Sequence, residues 1–407
     1  MRDSRGPDSV GSVRIPRWLG SLEGENPGPT MVVVGGIHGN EPAGVHAVRR
    51  VLAEIEARKI PLSGRLIGLG GNLGALAAEV RFHDRDLNRQ WFPDHLEALR
   101  VRDPALDTPE DKEQRELLLV FEQLDEAYDH PLVIMDLHSF SAEGPPFSVV
   151  ADTLRNRPIA YSLRVPIIFG LEEAVEGTLL GYLADLGHIA VAFEAGQHDD
   201  PRTVENHTAA VWIALVSAGL VERSDLPGLA EHEARLEEAG EGLPRAVEIV
   251  YRHAIVPTDE FSMDPGFHNF QPVRRSQRLA TDAGGEVTAP YTARMLMPLY
   301  QGQGEDGFFL IRDLGNAQLQ LSAALRKFKI DDLLPYLPGV DVDDQGVHVR
   351  GLAAHPAVEG VLRLFGYRRP VALSEGEGGL SLARRRQDES RRRGRGAPRS
   401  VEPAERD

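Results

Sequence analysis

Four short apolar runs set the tightest limit on how this chain can fold: MVVVGG from Met31, RLIGLGGN from Arg65, PLVIMDLHS from Pro131 and IAVAFEAG from Ile189. Each reads as a buried strand closed by glycine or polar residues. Helical patterns lie between them, in GVHAVRRVLAEIEAR after the first run, GALAAEV after the second and VENHTAAVWIALVSAGL after the last. FSVVAD and VPIIFG are further strand candidates. Strands alternating with helices predict an α/β domain over residues 14–222.

The pattern changes beyond that point. Residues 223–244 read as a connector with a short charged helix. AVEIVYRHAIV, GEVTAPYTARMLMPLY and GFFLIRD are strand-like runs separated by turn residues, and predict a smaller β-rich domain over 245–320. Residues 321–383 are assigned to a mixed extension. Residues 1–13 are expected to form a flexible lead-in, and the Arg-rich 384–407 a disordered tail.

Composition narrows the chemistry. With 42% hydrophobic and 26% charged residues, the chain can bury a sizeable core. A net charge of -17 sets the folded body against nucleic acid and anionic membranes as partners. The Arg-rich tail alone leaves docking on RNA or an acidic protein open. The chain has no cysteine, so disulfides, thiolate metal sites, iron–sulfur clusters and a thiol nucleophile are excluded together. Any transition metal must be held by histidines and carboxylates. Neither a signal-peptide core nor an apolar run of about 18 residues is present, so a cytoplasmic protein is expected. A homo-oligomer is left open.

The richest stretch is GGIHGNEPAG. A buried strand delivers His38 near its carboxyl end, and Glu41 follows three residues later as a helix begins. His138 ends another strand, in MDLHS. Ligands in open α/β sheets gather beyond the carboxyl ends of the strands. Two imidazoles and one carboxylate, with a fourth position for water, match a catalytic zinc site. Taken singly, each has an ordinary alternative: a hydrogen-bonded histidine, or a carboxylate favoured by a helix dipole. Glu194 ends the apolar run IAVAFE, where burial would raise its pKa and suit it to act as a base. Asp136 either orients His138 from behind or caps the strand end. His83, His198 and His207 read as polar surface or loop residues. GLGGNLGAL has Leu73 where a dinucleotide loop requires glycine, so it reads as a tight strand-to-helix turn.

His38-x-x-Glu41 with a distant His138 resembles the zinc carboxypeptidase pattern. GGIHGNEPAG, DLNR at Asp86–Arg89, DLHS at Asp136–Ser139 and FEAGQH at Phe193–His198 occur in an order similar to the succinylglutamate desuccinylase/aspartoacylase family. The resemblance implies a zinc-carboxypeptidase-like mixed sheet flanked by helices, with a smaller β-rich C-terminal domain. It implies one Zn2+ per chain held by His38, Glu41 and His138, with Glu194 as the catalytic carboxylate. It also makes Arg81 the group that polarises the scissile carbonyl, and Asn88 and Arg89 the residues that bind a substrate carboxylate. The reaction implied is hydrolysis of the amide bond of a small N-acyl amino acid-like carboxylate by metal-activated water. An esterase or carboxypeptidase-type peptidase on the same site, and a non-catalytic metal-binding module, are the alternatives. Aspartoacylases bring a substrate-facing tyrosine from the C-terminal domain. Here GEDGFFLIR offers Phe308 or Phe309, with Tyr300 nearby, so N-acetylaspartate is not expected to be the substrate.

Overall fold

The computed structural model describes residues 15–128, 130–343, 346–350, 356–370 and 379–383. The expected lead-in and Arg-rich tail lie outside the described residues.

The first part of the chain runs β1 (Trp18–Glu23), β2 (Asn26–Gly35), α1 (Ala43–Arg58), β3 (Ser63–Gly70) and α2 (Leu73–Ala78). Next come α3 (Pro93–Val101), α4 (Pro109–Ala127), β4 (Val133–Phe140), β5 (Phe147–Val150), α5 (Arg157–Ser162) and β6 (Ile167–Phe169). Then follow α6 (Leu171–Ala174), α7 (Leu179–Asp185), β7 (Ile189–Gln197), α8 (Pro201–Ala218) and α9 (Leu229–Ala239). The later strands are β8 (Ala246–Ala254), β9 (Ser262–Met263), β10 (Pro272–Val273), β11 (Arg278–Asp282), β12 (Gly285–Thr288), β13 (Ala293–Leu296) and β14 (Asp306–Asp313). The extension holds α10 (Asn316–Lys327), β15 (Val340–Val342), β16 (Val347–Arg350), α11 (Pro356–Leu364), β17 (Arg369–Pro370) and β18 (Gly379–Ala383).

An 11-stranded mixed sheet of order β1-β3-β2-β4-β7-β5-β6-β8-β14-β13-β10 dominates the fold. Its centre, β3-β2-β4-β7, is parallel. The apolar runs follow from this position. Along β2, Met31 and Val33 enter one core cluster while Val32 and Val34 enter the other, so the strand is buried on both faces and needs no polar alternation. The cluster containing Met31 includes Val48, Val51, Leu52 and Ile55 of α1, an i, i+3, i+4 stripe, and Trp212 of α8. Trp212 is fully buried, and truncation to alanine is expected to cost about 3–5 kcal/mol. The opposite cluster takes Leu117, Phe121 and Leu124 of α4. That helix starts with a reciprocal cap between Thr108 and Asp111 and with Pro109 at its first position.

The strand-like runs of the 245–320 region extend this same sheet. β8 pairs in parallel with β6, and β14, β13 and β10 follow as antiparallel neighbours. Two small sheets, β12-β11-β9 and β15-β16-β18-β17, stand beside it. The extension is fastened by charge. Asp152, which follows β5, accepts from Arg157 Nη2 (2.9 Å), Arg326 Nη1 (2.9 Å) and Arg368 Nε (2.7 Å). Arg326 lies on α10 and Arg368 follows α11. Burial opposes ionisation of Asp152, but the three guanidiniums prevail and hold its carboxyl far below the usual range. No helix among the described residues is long and apolar enough to cross a membrane.

Candidate metal centre

Chain geometry brings the distant residues together. β2 ends at Gly35, and Gly36 (φ +76°) turns the chain so that His38 and Glu41 sit in the loop before α1. Glu41 thus precedes the helix and its cap, Pro42, and does not lie in the first turn as the sequence suggests. Gly39 is tightly enclosed: a Cβ there would lie 2.1 Å from the backbone carbon of Ala75. On the neighbouring strand β4, His138 is the register partner of Glu194 on β7. Strand β7 continues past Glu194 to Gln197.

His38, Glu41 and His138 are all buried, and one donor atom from each lies within 4.8 Å of the others. Glu41 stands between the rings, with Oε1 2.9 Å from His38 Nδ1 and Oε2 3.3 Å from His138 Nδ1. Its Oε2 also accepts from the Ser139 backbone N–H at 3.0 Å. Each imidazole has a carboxylate behind its far nitrogen. Asp86 Oδ1 is 3.1 Å from His38 Nε2, and Asp136 Oδ2 is 2.9 Å from His138 Nε2. This is the outer arrangement that fixes ring orientation and raises ligand basicity at metal sites. Asp136 therefore lies behind His138, and Asp86 is a carboxylate that sequence reasoning passed over. The signal was available, since Asp86 opens the DLNR stretch as Asp136 opens DLHS.

The electrostatics divide the carboxylates. Burial works against the charge on Glu41, but His38 and His138 outweigh it and hold the carboxyl well below its ordinary range. Asp86 is treated alike: burial is overcome by His38, Arg81 and Arg89. Burial also opposes the charge on His138, yet Asp136 and Glu41 raise its pKa well above the usual value. Glu194 goes the other way. Burial, with a contribution from Glu41, pushes it to about 8 against the pull of His138 and Arg81. Its Oε2 is buried and has no hydrogen-bond partner among the described residues.

Arg81 reaches the same corner, with Nη2 2.9 Å from Asp86 Oδ2 and Nη1 3.4 Å from Glu41 Oε1. Asn88 and Arg89 line the cavity in front of the metal corner, together with Glu194 and Phe309. The Asn88 amide oxygen accepts from the Leu179 backbone (2.8 Å), and Arg89 Nη2 donates to Asp306 Oδ2 (3.0 Å). Part of the wall comes from the turn between β13 and β14. Gln301 Oε1 accepts from Asn40 Nδ2 at 2.9 Å and lies 3.1 Å from His198 Nε2, whose Nδ1 is 2.8 Å from Ser139 Oγ. Nothing in the sequence links Gln301 or Asp306 to His38.

The tyrosine question resolves by register. Phe309 faces the cavity, whereas Phe308 stacks on His253 in a separate cluster. The Tyr300 hydroxyl donates to Asp264 O and accepts from the Phe267 N–H. Of the three histidines expected in loops or at the surface, His83 is exposed and His198 is half-buried beside the site. His207 departs from that expectation. It is 1% exposed on α8, its ring is 5.8 Å from that of Phe193, and burial lowers its pKa to about 3.

Two imidazoles and an ionised carboxylate, dehydrated and backed by second carboxylates, fit a divalent zinc ion by donor chemistry. Known proteins share this architecture. A succinylglutamate desuccinylase structure from Vibrio parahaemolyticus superposes over 72% of this chain and 86% of its own, with a TM-score of 0.53 at 16% identity. A succinylglutamate desuccinylase/aspartoacylase structure from Rhodobacter sphaeroides covers 73% and 88%, with a TM-score of 0.53 at 16% identity. At such identities the likeness defines the fold. In sequence, the succinylglutamate desuccinylase of Pseudomonas putida is 35% identical over 97 residues, covering 21% of this chain and 29% of that relative. That of Chromobacterium violaceum is 34% identical over 84 residues, covering 19% and 25%. The matched stretches therefore span less than a third of either curated relative. Residues 27–220 match the Succinylglutamate desuccinylase/Aspartoacylase catalytic domain. Through that stretch, just under half of its length, the chain is similar to the succinylglutamate desuccinylase/aspartoacylase family.

Proposed function

We propose that this chain is a zinc-dependent deacylase that hydrolyses the amide bond of a small N-acyl amino acid-like molecule. The observation that carries the reading is the buried triad His38, Glu41 and His138 beside Glu194 Oε2, which has no partner among the described residues, inside the stretch that matches the family's catalytic domain. The triad would hold the metal, with Asp86 and Asp136 fixing the rings. A zinc ion held there supplies a Lewis acid that acidifies water and polarises a carbonyl. Glu194, with a proton affinity near neutrality, takes the proton of the attacking water and returns it to the departing amine. Arg81 brings a fixed cationic fork to the carbonyl oxygen, where losing one donor typically costs about 100–1,000-fold in rate. Arg89 and Asn88 line the cavity in which the remainder of the substrate would lie.

The test combines metal analysis with a panel of N-acyl amino acids, esters and short peptides. A single zinc per chain is expected, with amide cleavage that chelation abolishes and added zinc restores. His138→Ala should lose both metal and turnover, while Glu194→Gln should keep the metal and lose turnover. Full turnover in Glu194→Gln, or in metal-free protein, would sink the mechanism.

A further inference from the structure

The subsite expected to hold a substrate carboxylate already contains carboxylates of the protein. Arg89 Nη2 donates to Asp306 Oδ2 at 3.0 Å, Nη1 donates to the Asn88 carbonyl at 2.9 Å, and Nε lies 3.9 Å from Glu305 Oε2. Asp306 is held from its other side by Arg252, whose Nε donates to Oδ1 at 2.5 Å and whose Nη1 donates to the Ala174 carbonyl at 2.7 Å. The partnership is therefore built into strand β14 and its neighbour β8. The guanidinium edge that would clasp a substrate carboxylate in a two-point fork is already taken.

The rest of the cavity agrees. Among the described residues lining it, the guanidiniums are those of Arg81 and Arg89, and Arg81 is shared by Glu41 and Asp86. Glu172, Glu305 and Asp306 line the same cavity. Val149, Leu171, Val175, Leu299 and Phe309 give the cavity an apolar side, beside the polar Ser141, Thr178 and Gln301, and Phe309 brings no hydroxyl. A substrate with two carboxylates would meet like charge from Glu172, Glu305 and Asp306. An apolar side chain would meet groups that gain by contact with it.

We propose, building on the deacylase reading, that the Arg89–Asp306–Glu305 cluster selects N-acyl monocarboxylates with an apolar side chain and rejects N-acyl dicarboxylates. Asp306 is the principal specificity residue, because it occupies Nη2 of Arg89 directly. Glu305 adds a second, more exposed negative charge at the cavity mouth.

The experiment compares kcat/KM of the zinc-loaded full chain for N-acetyl-leucine, N-acetylaspartate and N-acetylglutamate, which share one acyl group. The leucine compound should be favoured by about 10-fold or more, within the range that pocket contacts of this kind supply. Asp306→Asn should move that ratio towards the dicarboxylates by about 10-fold, and Glu305→Gln should move it less in the same direction. Glu305 is half exposed, so its variant tests the idea even if Asp306→Asn fails to fold. Calorimetric binding of leucine, aspartate and glutamate, the product amines, reads the same selection without turnover. Leucine binding most tightly supports the proposal. A dicarboxylate preference in the wild type, a ratio unchanged in a folded variant, or no binding by any of the three overturns it. Failure to hydrolyse any amide, with leucine still bound most tightly, overturns the deacylase reading and leaves the selectivity standing.

Discussion

Two buried clusters of charge occupy this molecule, and they are built on opposite terms. Around Asp152, three guanidiniums from α5, α10 and the segment after α11 saturate one carboxylate, whose pKa falls far below normal. Around His38 and His138, carboxylates and imidazoles share partners, Glu194 Oε2 has none among the described residues, and its pKa rises to about 8. The first arrangement leaves no proton to move and no position open, which suits a fastening. The second holds a group near the point of proton exchange, which suits a reaction. Burial alone does not separate structural from chemical charge. The degree of internal pairing does.

The largest expected effect lies at the unsaturated cluster. Glu194→Gln should lower kcat by between about 100- and 10,000-fold, the usual range for a general acid–base group. Its melting temperature should not fall, because the change replaces a buried carboxyl whose Oε2 has no hydrogen-bond partner among the described residues. Steady-state rates and calorimetry on the same preparation check both parts. At the saturated cluster, Asp152→Ala should destabilise the fold by about 3–5 kcal/mol, since three arginines lose their common partner. Urea unfolding would show this, and a cost under about 1 kcal/mol would erase the contrast.

Acid and base should pull the two clusters apart. Asp152 has a folded pKa below its unfolded value of about 3.9, so its stabilisation is complete above that pH and is lost as pH falls through the folded value. Glu194 has a folded pKa of about 8 against about 4.3 unfolded, so its contribution is complete below about 4.3 and is lost as pH rises through 8. In metal-free protein, Asp152→Asn should therefore approach wild-type stability in strong acid, whereas Glu194→Gln should gain on wild type from pH 5 to 9. Unfolding midpoints across that range would reveal parallel curves if the assignment of opposite signs is wrong. The smallest effect is expected outside both clusters. Tyr300→Phe removes a hydroxyl bonded to backbone groups of Asp264 and Phe267, and should cost about 1 kcal/mol while leaving kcat/KM within about twofold.

Much of the central sheet was legible because parallel strands buried on both faces must be apolar throughout. MVVVGG, PLVIMDLHS and IAVAFEAG could hardly be anything else, and His38, His138 and Glu194 follow at or near their ends. The helices α3 and α4 escaped notice although Thr108, Pro109 and Asp111 spell out a start signal. AVEIVYRHAIV and GFFLIRD were readable as strands, but no residue in them announces that β8 would bond to β6. For the same reason Asp306 and Gln301 were invisible as cavity residues. A carboxylate in GEDGFF looks like any turn residue until strand register carries it to Arg89. Polarity suggests exposure for His207, whereas the α8 face that carries it packs against Phe193.

The pairing of β6 with β8 has a practical consequence for anyone trimming this protein. A fragment stopped near residue 220 would keep every residue assigned to the metal yet expose β6 as a raw sheet margin, with its amide and carbonyl groups open to other chains. It would also lose the roof that Gln301 helps to hold, leaving the reaction corner open to bulk water. The 27–220 stretch that matches the catalytic domain thus ends before the strand that closes the sheet beside β6 and before the residue that helps wall the cavity.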